Sequence, residues 1–171
     1  MKSILSLMVQ HSTEASRLSC IMARTDPDSR IREFEPADTE ATINLWEACG
    51  LTRPWNDPRA DIARKLSSQP ELFLVAERLS PIGESRIIGS VIAGYDGHRG
   101  WMYYLATDPA RRGQGLGRTL VTEVERRLEA LGCSKSQLMV RADNRQATGF
   151  YAALGYEVNE VLVLGKRLIE D

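Results

Sequence analysis

The sequence predicts one α+β domain (mixed α/β), in which a sheet of six to seven strands is flanked by about four helices. Two observations support this prediction. Apolar, strand-forming segments alternate along the chain with helical segments that are apolar on one face. The chain is also long enough for one domain with a sizeable core, since it has 171 residues, of which 43% are hydrophobic and 26% charged.

The first half of the domain is predicted to contain two helices between strands. A short strand of alternating residues begins at Arg30, and a helix then opens at about Pro36. Gly50 is well placed to end that helix, because glycine readily adopts the left-handed conformation that stops a helix. After the second helix come two strands and a hairpin turn, at residues 71–77, 86–95 and 96–97.

The second helix has the clearest predicted start. Asp57 stands directly before Pro58, and a carboxylate that caps the first turn followed by a proline at the first helical position is typical of a helix N-terminus. The helix is expected to run to about Ser68. Its inward-facing residues are predicted to be Ile62, Ala63 and Leu66.

The second half is predicted to run strand, helix, strand, helix. Residues 101–107 are aromatic and apolar enough to form a buried strand, which Pro109 ends. In the helix that follows, leucine or valine recurs every four residues from Leu116 to Leu128, which makes one face apolar. The remaining elements are a fifth strand, a last helix and a closing hairpin or pair of strands, at residues 137–140, 144–154 and 156–168.

Residues 1–29 are expected to be a disordered appendage to the domain at 30–171, because their periodicity is poor and residues 25–29 resemble a linker. A signal peptide is not expected, and no segment approaches the roughly 20 apolar residues of a membrane span. The net charge of −1 favours neither nucleic acid nor an anionic membrane as a partner. Three cysteines without metal-ligand spacing indicate reduced thiols in a cytoplasmic protein.

The turn between the strand at 101–107 and the following helix is a candidate anion site. It contains the pattern Arg112-x-x-Gly115-x-Gly117. Glycines let a ligand approach the backbone closely, and the free amides at a helix N-terminus favour a phosphate group. A Walker loop is excluded because its Lys-Ser/Thr pair is missing, and a Rossmann fingerprint because its third glycine is missing.

This arrangement resembles the pyrophosphate-binding motif of the GNAT superfamily of N-acetyltransferases, Arg/Gln-x-x-Gly-x-Gly/Ala. A second motif of that family, Asn-x-x-Ala-x-x-x-Tyr-x-x-x-Gly-Phe/Tyr, matches at every marked position, namely Asn144, Ala147, Tyr151, Gly155 and Tyr156. The resemblance covers roughly residues 30–168. Segments 53–58, 94–100 and 164–171 are similar to those of the small bacterial YpeA-type members.

The resemblance implies the GNAT fold, a mixed and mostly antiparallel sheet whose fourth and fifth strands splay apart to admit acetyl-CoA as co-substrate, without a metal. Backbone groups of Leu105, Ala106 and Thr107 would pair with the pantetheine arm, and Asn144 would hydrogen-bond it. Asn144 also suits a helix cap. The residues implied to hold the pyrophosphate are Arg112, Gly113, Gln114, Gly115, Leu116, Gly117 and Arg118, with Arg111 a further source of charge.

The same resemblance implies transfer of an acetyl group to a primary amine by direct attack in a ternary complex. Tyr151 would protonate or hydrogen-bond the departing thiolate; the alternative is an apolar core ring. The general base stays open: some relatives use water or solvent in place of a side chain, and Asp96, His98 and Tyr103 are nearby candidates. A non-catalytic acetyl-CoA sensor is the alternative function.

The acceptor also stays open, between a small molecule and a peptide. An acidic pocket would point to polyamines and an open groove to peptides, and a homodimer is not ruled out. The loop between the first two helices borders the acceptor site in this family, which makes Arg53, Trp55, Asn56 and Asp57 candidates for recognition. Asp57 is better explained as the helix cap, Trp55 could cover the core, and Arg53 has no evident structural task.

Overall fold

The computed structural model describes residues 29–79 and 85–168. Within them, five strands form one sheet in the order β1 to β5, which are Ser29–Glu33, Phe73–Arg78, Arg86–Tyr95, Gly100–Thr107 and Ser136–Leu138. β1 to β4 pair with one another in antiparallel fashion, and β5 lies parallel to β4. The predicted mixed, mostly antiparallel sheet is therefore confirmed.

In the described part of the chain four α-helices flank this sheet, in line with the predicted number: α1 Thr39–Ala48, α2 Pro58–Leu66, α3 Leu116–Ala130 and α4 Arg145–Ala152. Two buried clusters of apolar side chains hold the layers together. In one, the buried face of α3 packs on Leu74, Val91 and Met102 of the sheet. In the other, Trp46 of α1 and Ile62 of α2 pack with Phe73, Val75 and Ile92. The two faces of the sheet thus have separate cores.

The edge between β4 and β5 opens after three residue pairs. Pairing starts at Gly100 with Ser136 and ends at Met102 with Leu138. Beyond that point the register between β3 and β4 shifts, because two residues of β4 lie opposite one of β3, which is a β-bulge. Tyr104 lies in the bulge with φ of 53°, a left-handed conformation that is strained for a bulky side chain.

The prediction of a closing hairpin at 156–168 is wrong, since these residues form no strand and most of them are exposed. Val161 to Leu164 are apolar in sequence but have no strand to pair with; Leu164 is 91% exposed. The predicted six to seven strands become five within the described residues. The predicted appendage at 1–29 lies outside the described residues apart from Ser29, which begins β1.

The predicted inner face of α2 is also wrong in part. Ile62 is buried and Leu66 is partly buried as expected, but Ala63 is exposed and Lys65 is buried instead. Asp57 caps the helix as predicted, accepting a hydrogen bond from the amide of Arg59 over 2.8 Å.

Candidate functional site

A groove of about 430 Å³ runs between the end of β4, the loop that leads into α3, and the start of α4. We call it the main groove. Eleven of the twelve predicted site residues line it: Leu105, Ala106, Thr107, Arg112, Gly113, Gly115, Leu116, Gly117, Arg118, Asn144 and Tyr151. The twelfth, Gln114, lies in the same loop but does not line the groove. The open edge of the sheet explains why residues so far apart in sequence meet here, since β4 has lost its pairing to β5 by Leu105.

The N-terminus of α3 leaves its first amides available to an anion. Asn144 caps α4 by accepting a hydrogen bond from the amide of Ala147, and Asp57 caps α2 in the same way. The cap of α3 is Gly115 at φ of 85°, which offers no side-chain hydrogen bond. Since the first amides of a helix lack partners within the helix, an uncapped start can bind a phosphate group.

Glycine serves two different purposes in this loop. A Cβ added at Gly113 would meet no atom within 4 Å, so this backbone faces open space. A Cβ added at Gly117 would lie 3.3 Å from Cζ of Phe150. Gly117 therefore lets α3 approach α4 closely, whereas Gly113 keeps side chains out of the main groove.

The charges along the main groove suit an anion. Arg111, Arg112 and Arg118 line it, and no acidic side chain among the described residues does. Guanidinium groups bind phosphate oxygens with paired hydrogen bonds. The net charge of the whole chain, −1, gives no sign of this local excess of positive charge.

Sequence reasoning missed four lining residues, Cys49, Leu51, Gln146 and Phe150. Cys49 ends α1 and its thiol lies 3.3 Å from the carbonyl oxygen of Thr107, which it can donate to. This contact joins α1 to the end of β4. No motif marks Cys49 or Leu51, because they reach the groove only through the packing of α1 on the sheet. Gln146, in contrast, could have been found as a neighbour of Asn144 in the second motif.

Tyr151 lies on α4 with its ring packed edge-to-face against Phe150 and Tyr156, at centroid distances of 5.0 and 5.5 Å. No hydrogen bond joins its hydroxyl to another described residue. Burial raises the pKa of Tyr151 to about 12, so the hydroxyl keeps its proton at neutral pH. It can therefore donate a proton or a hydrogen bond to a group in the main groove.

The loop between α1 and α2 contributes one residue to a polar cluster. The amide nitrogen of Asn56 donates to Oδ2 of Asp61 and to the hydroxyl of Tyr104, and that hydroxyl donates to the same Oδ2 over 2.7 Å. Burial opposes ionisation of Asp61, but hydrogen bonds from Tyr104, Arg64 and Asn56 outweigh it and lower the pKa of Asp61. The cluster joins α2 to the bulge in β4.

Two other residues of that loop differ from expectation. Trp55 is 61% exposed and does not cover the core. Arg53 does have a structural task, since its guanidinium donates to the carbonyl oxygens of Gly50 and Thr52 just beyond α1. These bonds stabilise the loop, because they satisfy two of its backbone oxygens.

Asp96, one candidate for the general base, already accepts hydrogen bonds within the hairpin turn. It accepts hydrogen bonds from the amides of His98 and Arg99 and from the Trp101 indole. These bonds lower its pKa to about 2, which makes it a poor base. His98 lies in the same exposed turn, whereas Tyr103 lines a second cavity.

The described residues contain no cluster of three or more histidine, cysteine, aspartate or glutamate side chains that could hold a metal ion. None of their helices has the length and apolar character needed to cross a membrane.

Comparison with known proteins agrees with this geometry. The model of the acetyltransferase (GNAT) family matches residues 33–156. A protein of Pectobacterium atrosepticum that is named an acetyltransferase is 52% identical over 141 residues, which are 82% of this chain and 96% of that protein.

Solved structures show the same fold. Ard1 from Thermoplasma volcanium superposes with a TM-score of 0.66 at 24% identity, over 77% of this chain and 84% of that one. AAC(6')-Iy, in complex with the bisubstrate analogue CoA-S-monomethyl-acetylneamine, superposes with a TM-score of 0.64 at 18% identity. The match covers 82% of this chain and 99% of that one. The chain belongs to the acetyltransferase (GNAT) family, and it is an acetyl-CoA-dependent acyltransferase.

Proposed function

We propose that the protein transfers the acetyl group of acetyl-CoA directly to a primary amine, with the coenzyme in the main groove and Tyr151 as the proton donor. The observation that carries this proposal is the convergence of Arg112, the uncapped α3 and Tyr151 on one groove. AAC(6')-Iy, which has the same fold, is bound to a coenzyme A bisubstrate analogue, and this supports the assignment of the ligand.

The two ends of the main groove would bind different parts of acetyl-CoA. At the α3 end, the amides after Gly115 and the guanidinium groups of Arg112 and Arg118 would hold the pyrophosphate. Along β4, the backbone of Leu105 to Thr107 lies beyond the last pair with β5. Its free edge can therefore pair with an extended chain that carries amides, as pantetheine does.

Transfer itself requires one bond to form and one to break. The lone pair of the amine attacks the thioester carbonyl carbon, and the carbon–sulfur bond then breaks. The hydroxyl of Tyr151 gives its proton to the departing sulfur. The nitrogen of the new amide loses one proton to water, and a proton from water restores the hydroxyl of Tyr151. A positioned general acid contributes about 10²–10⁴-fold to the rate.

A thiol-release screen tests this function. The purified protein is mixed with acetyl-CoA and with peptides, polyamines, amino acids or phosphorylated amines, and free thiol is followed over time. We expect release that depends on one class of amine, together with a product that is 42 Da heavier, the mass of an added acetyl group less one hydrogen. Binding of acetyl-CoA without release by any amine would favour the sensor instead.

A further inference from the structure

A second cavity, of about 300 Å³, lies between α2 and the middle of β3 and β4. Lys65 and Asp61 of α2 line one side, and Tyr103 and Tyr104 of β4 line the other. The bulge in β4 brings both tyrosines to this cavity, although adjacent residues of a regular strand point to opposite faces. Leu105, the next residue, already lines the main groove.

Lys65 lines the second cavity with a side chain that is largely buried. Only 6% of the residue is exposed, and no hydrogen bond or ion pair joins its Nζ to another described residue. Burial lowers the pKa of Lys65 to about 8, and the charge of Glu71 offsets only part of that effect. An ammonium group that is partly removed from water and has no paired carboxylate is costly, so a cavity with this lining favours an anion.

The other two charged side chains of the second cavity and the amide of Gln69 already have hydrogen-bond partners. Asp61 bonds to Arg64, Asn56 and Tyr104, so the charges of Asp61 and Arg64 compensate each other. The side-chain amide of Gln69 donates a hydrogen bond to the backbone oxygen of Tyr95 and accepts one from the backbone nitrogen of Tyr95, both over 2.8 Å. Lys65 therefore supplies the uncompensated charge of the second cavity.

We propose that the second cavity binds the acceptor, and that the acceptor is a small primary amine carrying a carboxylate or a phosphate group that pairs with Nζ of Lys65. This inference rests on the proposed function. With its anionic end at Lys65, the acceptor would extend past Tyr103 and Tyr104 and present its amine beside Leu105. A polyamine is disfavoured because Lys65 would repel it, and a cavity of about 300 Å³ suits a molecule of amino-acid size better than a peptide chain.

Matched pairs of amines test the proposal. β-Alanine is compared with β-alanine amide, and phosphoethanolamine with ethanolamine, so that each pair differs in the anionic group. Binding is measured by calorimetry in the presence of coenzyme A, and kcat/KM for acetyl transfer is measured with acetyl-CoA. The two pairs also distinguish a carboxylate from a phosphate as the preferred group.

Three variants make the test specific. Lys65→Met keeps the length of the stem and removes the charge, and Lys65→Gln is the second variant in case the first does not fold. Lys135→Met is the matched control, because Lys135 is exposed and bonds to Asn159 outside this cavity. Thermal unfolding checks that each variant is folded.

We expect at least one anionic amine to bind at least tenfold more tightly than its neutral partner and to be acetylated in preference to it. Lys65→Met should abolish that preference, and Lys135→Met should keep it. The proposal is overturned if neutral amines or spermidine bind better, or if the preference survives Lys65→Met. It is also overturned if no anionic amine binds to a protein that still binds acetyl-CoA, which leaves the proposed function standing. Loss of acetyl-CoA binding itself would instead remove the proposed function.

Discussion

The hydroxyl of Tyr104 donates a hydrogen bond to Oδ2 of Asp61 over 2.7 Å and thereby joins the bulge of β4 to α2 in the wall of the second cavity. Tyr104 lies in the bulge of β4, next to the main groove, and Asp61 lies on α2 in the wall of the second cavity. The ring of Trp46 stacks on Tyr104 at a centroid distance of 4.1 Å. Packing from α1 and the hydrogen bond that Tyr104 donates to Asp61 of α2 together hold a strained residue in place.

Tyr104→Phe is expected to lower stability by about 1 kcal/mol, because it removes a buried hydrogen bond to a carboxylate. It should also raise the pKa of Asp61, since the bond from Tyr104 helps to keep that pKa low. Urea unfolding and a carboxyl NMR titration measure the two effects. Tyr103→Phe is the control, because no hydrogen bond joins its hydroxyl to another described residue. A pKa of Asp61 that stays the same in Tyr104→Phe would contradict this account of the bulge.

A group of ion pairs on the edge of the sheet predicts the response of the fold to acid. The Arg32 guanidinium bonds to Asp38 over 2.6 Å and to Glu77 over 3.0 Å, and both carboxylates are buried. The hydrogen bond from Arg32 lowers the pKa of Glu77 to about 2. The stability from this depressed pKa is present above the unfolded value of about 4.5 and is lost as pH falls towards 2.

Arg32→Met should therefore lower stability at pH 7 by about 3 kcal/mol, because it leaves two buried carboxylates without their main partner. Its deficit relative to the wild type should shrink between pH 4.5 and pH 2. Urea titrations across this pH range measure both effects. Arg59→Met removes an exposed pair with Glu40 and should change stability little. An equal loss in the two variants would mean that burial of the Arg32 pairs is unimportant.

Tyr151→Phe is expected to reduce turnover by about 10²–10⁴-fold while acetyl-CoA affinity stays within about twofold. The substitution removes the hydroxyl and keeps the ring that packs on Phe150 and Tyr156. Initial rates are measured with whichever amine releases thiol, and affinity is measured by calorimetry. Tyr156→Phe, which removes a hydroxyl bonded to Glu125 instead, is the control. Unchanged turnover in Tyr151→Phe would exclude it as the proton donor.

Local signals in the sequence were sufficient for the helix starts and for the main groove. Asp57 and Asn144 cap their helices through bonds to residues two or three positions away, so the pattern of neighbouring residues identifies them. Arg112, Gly115 and Tyr151 belong to short motifs, which is why the groove could be predicted before the fold was known.

Features that depend on distant packing could not be predicted. The apolar run from Val161 to Leu164 has the composition of a strand, but pairing requires a partner elsewhere in the chain. The bulge at Tyr104 carries no glycine to mark it. On α2, periodicity favoured Ala63 over Lys65 as an inward residue, whereas the rotation of the helix on the sheet buries Lys65. The second cavity was missed for the same reason.

Calorimetric titration with acetyl-CoA of the wild type and of Gly113→Asp tests the central claim most directly. The added carboxylate would face the pyrophosphate in open space, since Gly113 has φ of 77° and no atom within 4 Å of an added Cβ. Gly97→Asp is the matched control, because Gly97 has φ of 89° and equal space in a turn away from the main groove. We predict that the wild type and Gly97→Asp bind acetyl-CoA and that Gly113→Asp loses at least tenfold in affinity. Equal affinity in all three folded proteins would contradict the assignment of the loop from Arg112 to Gly117 as the coenzyme site.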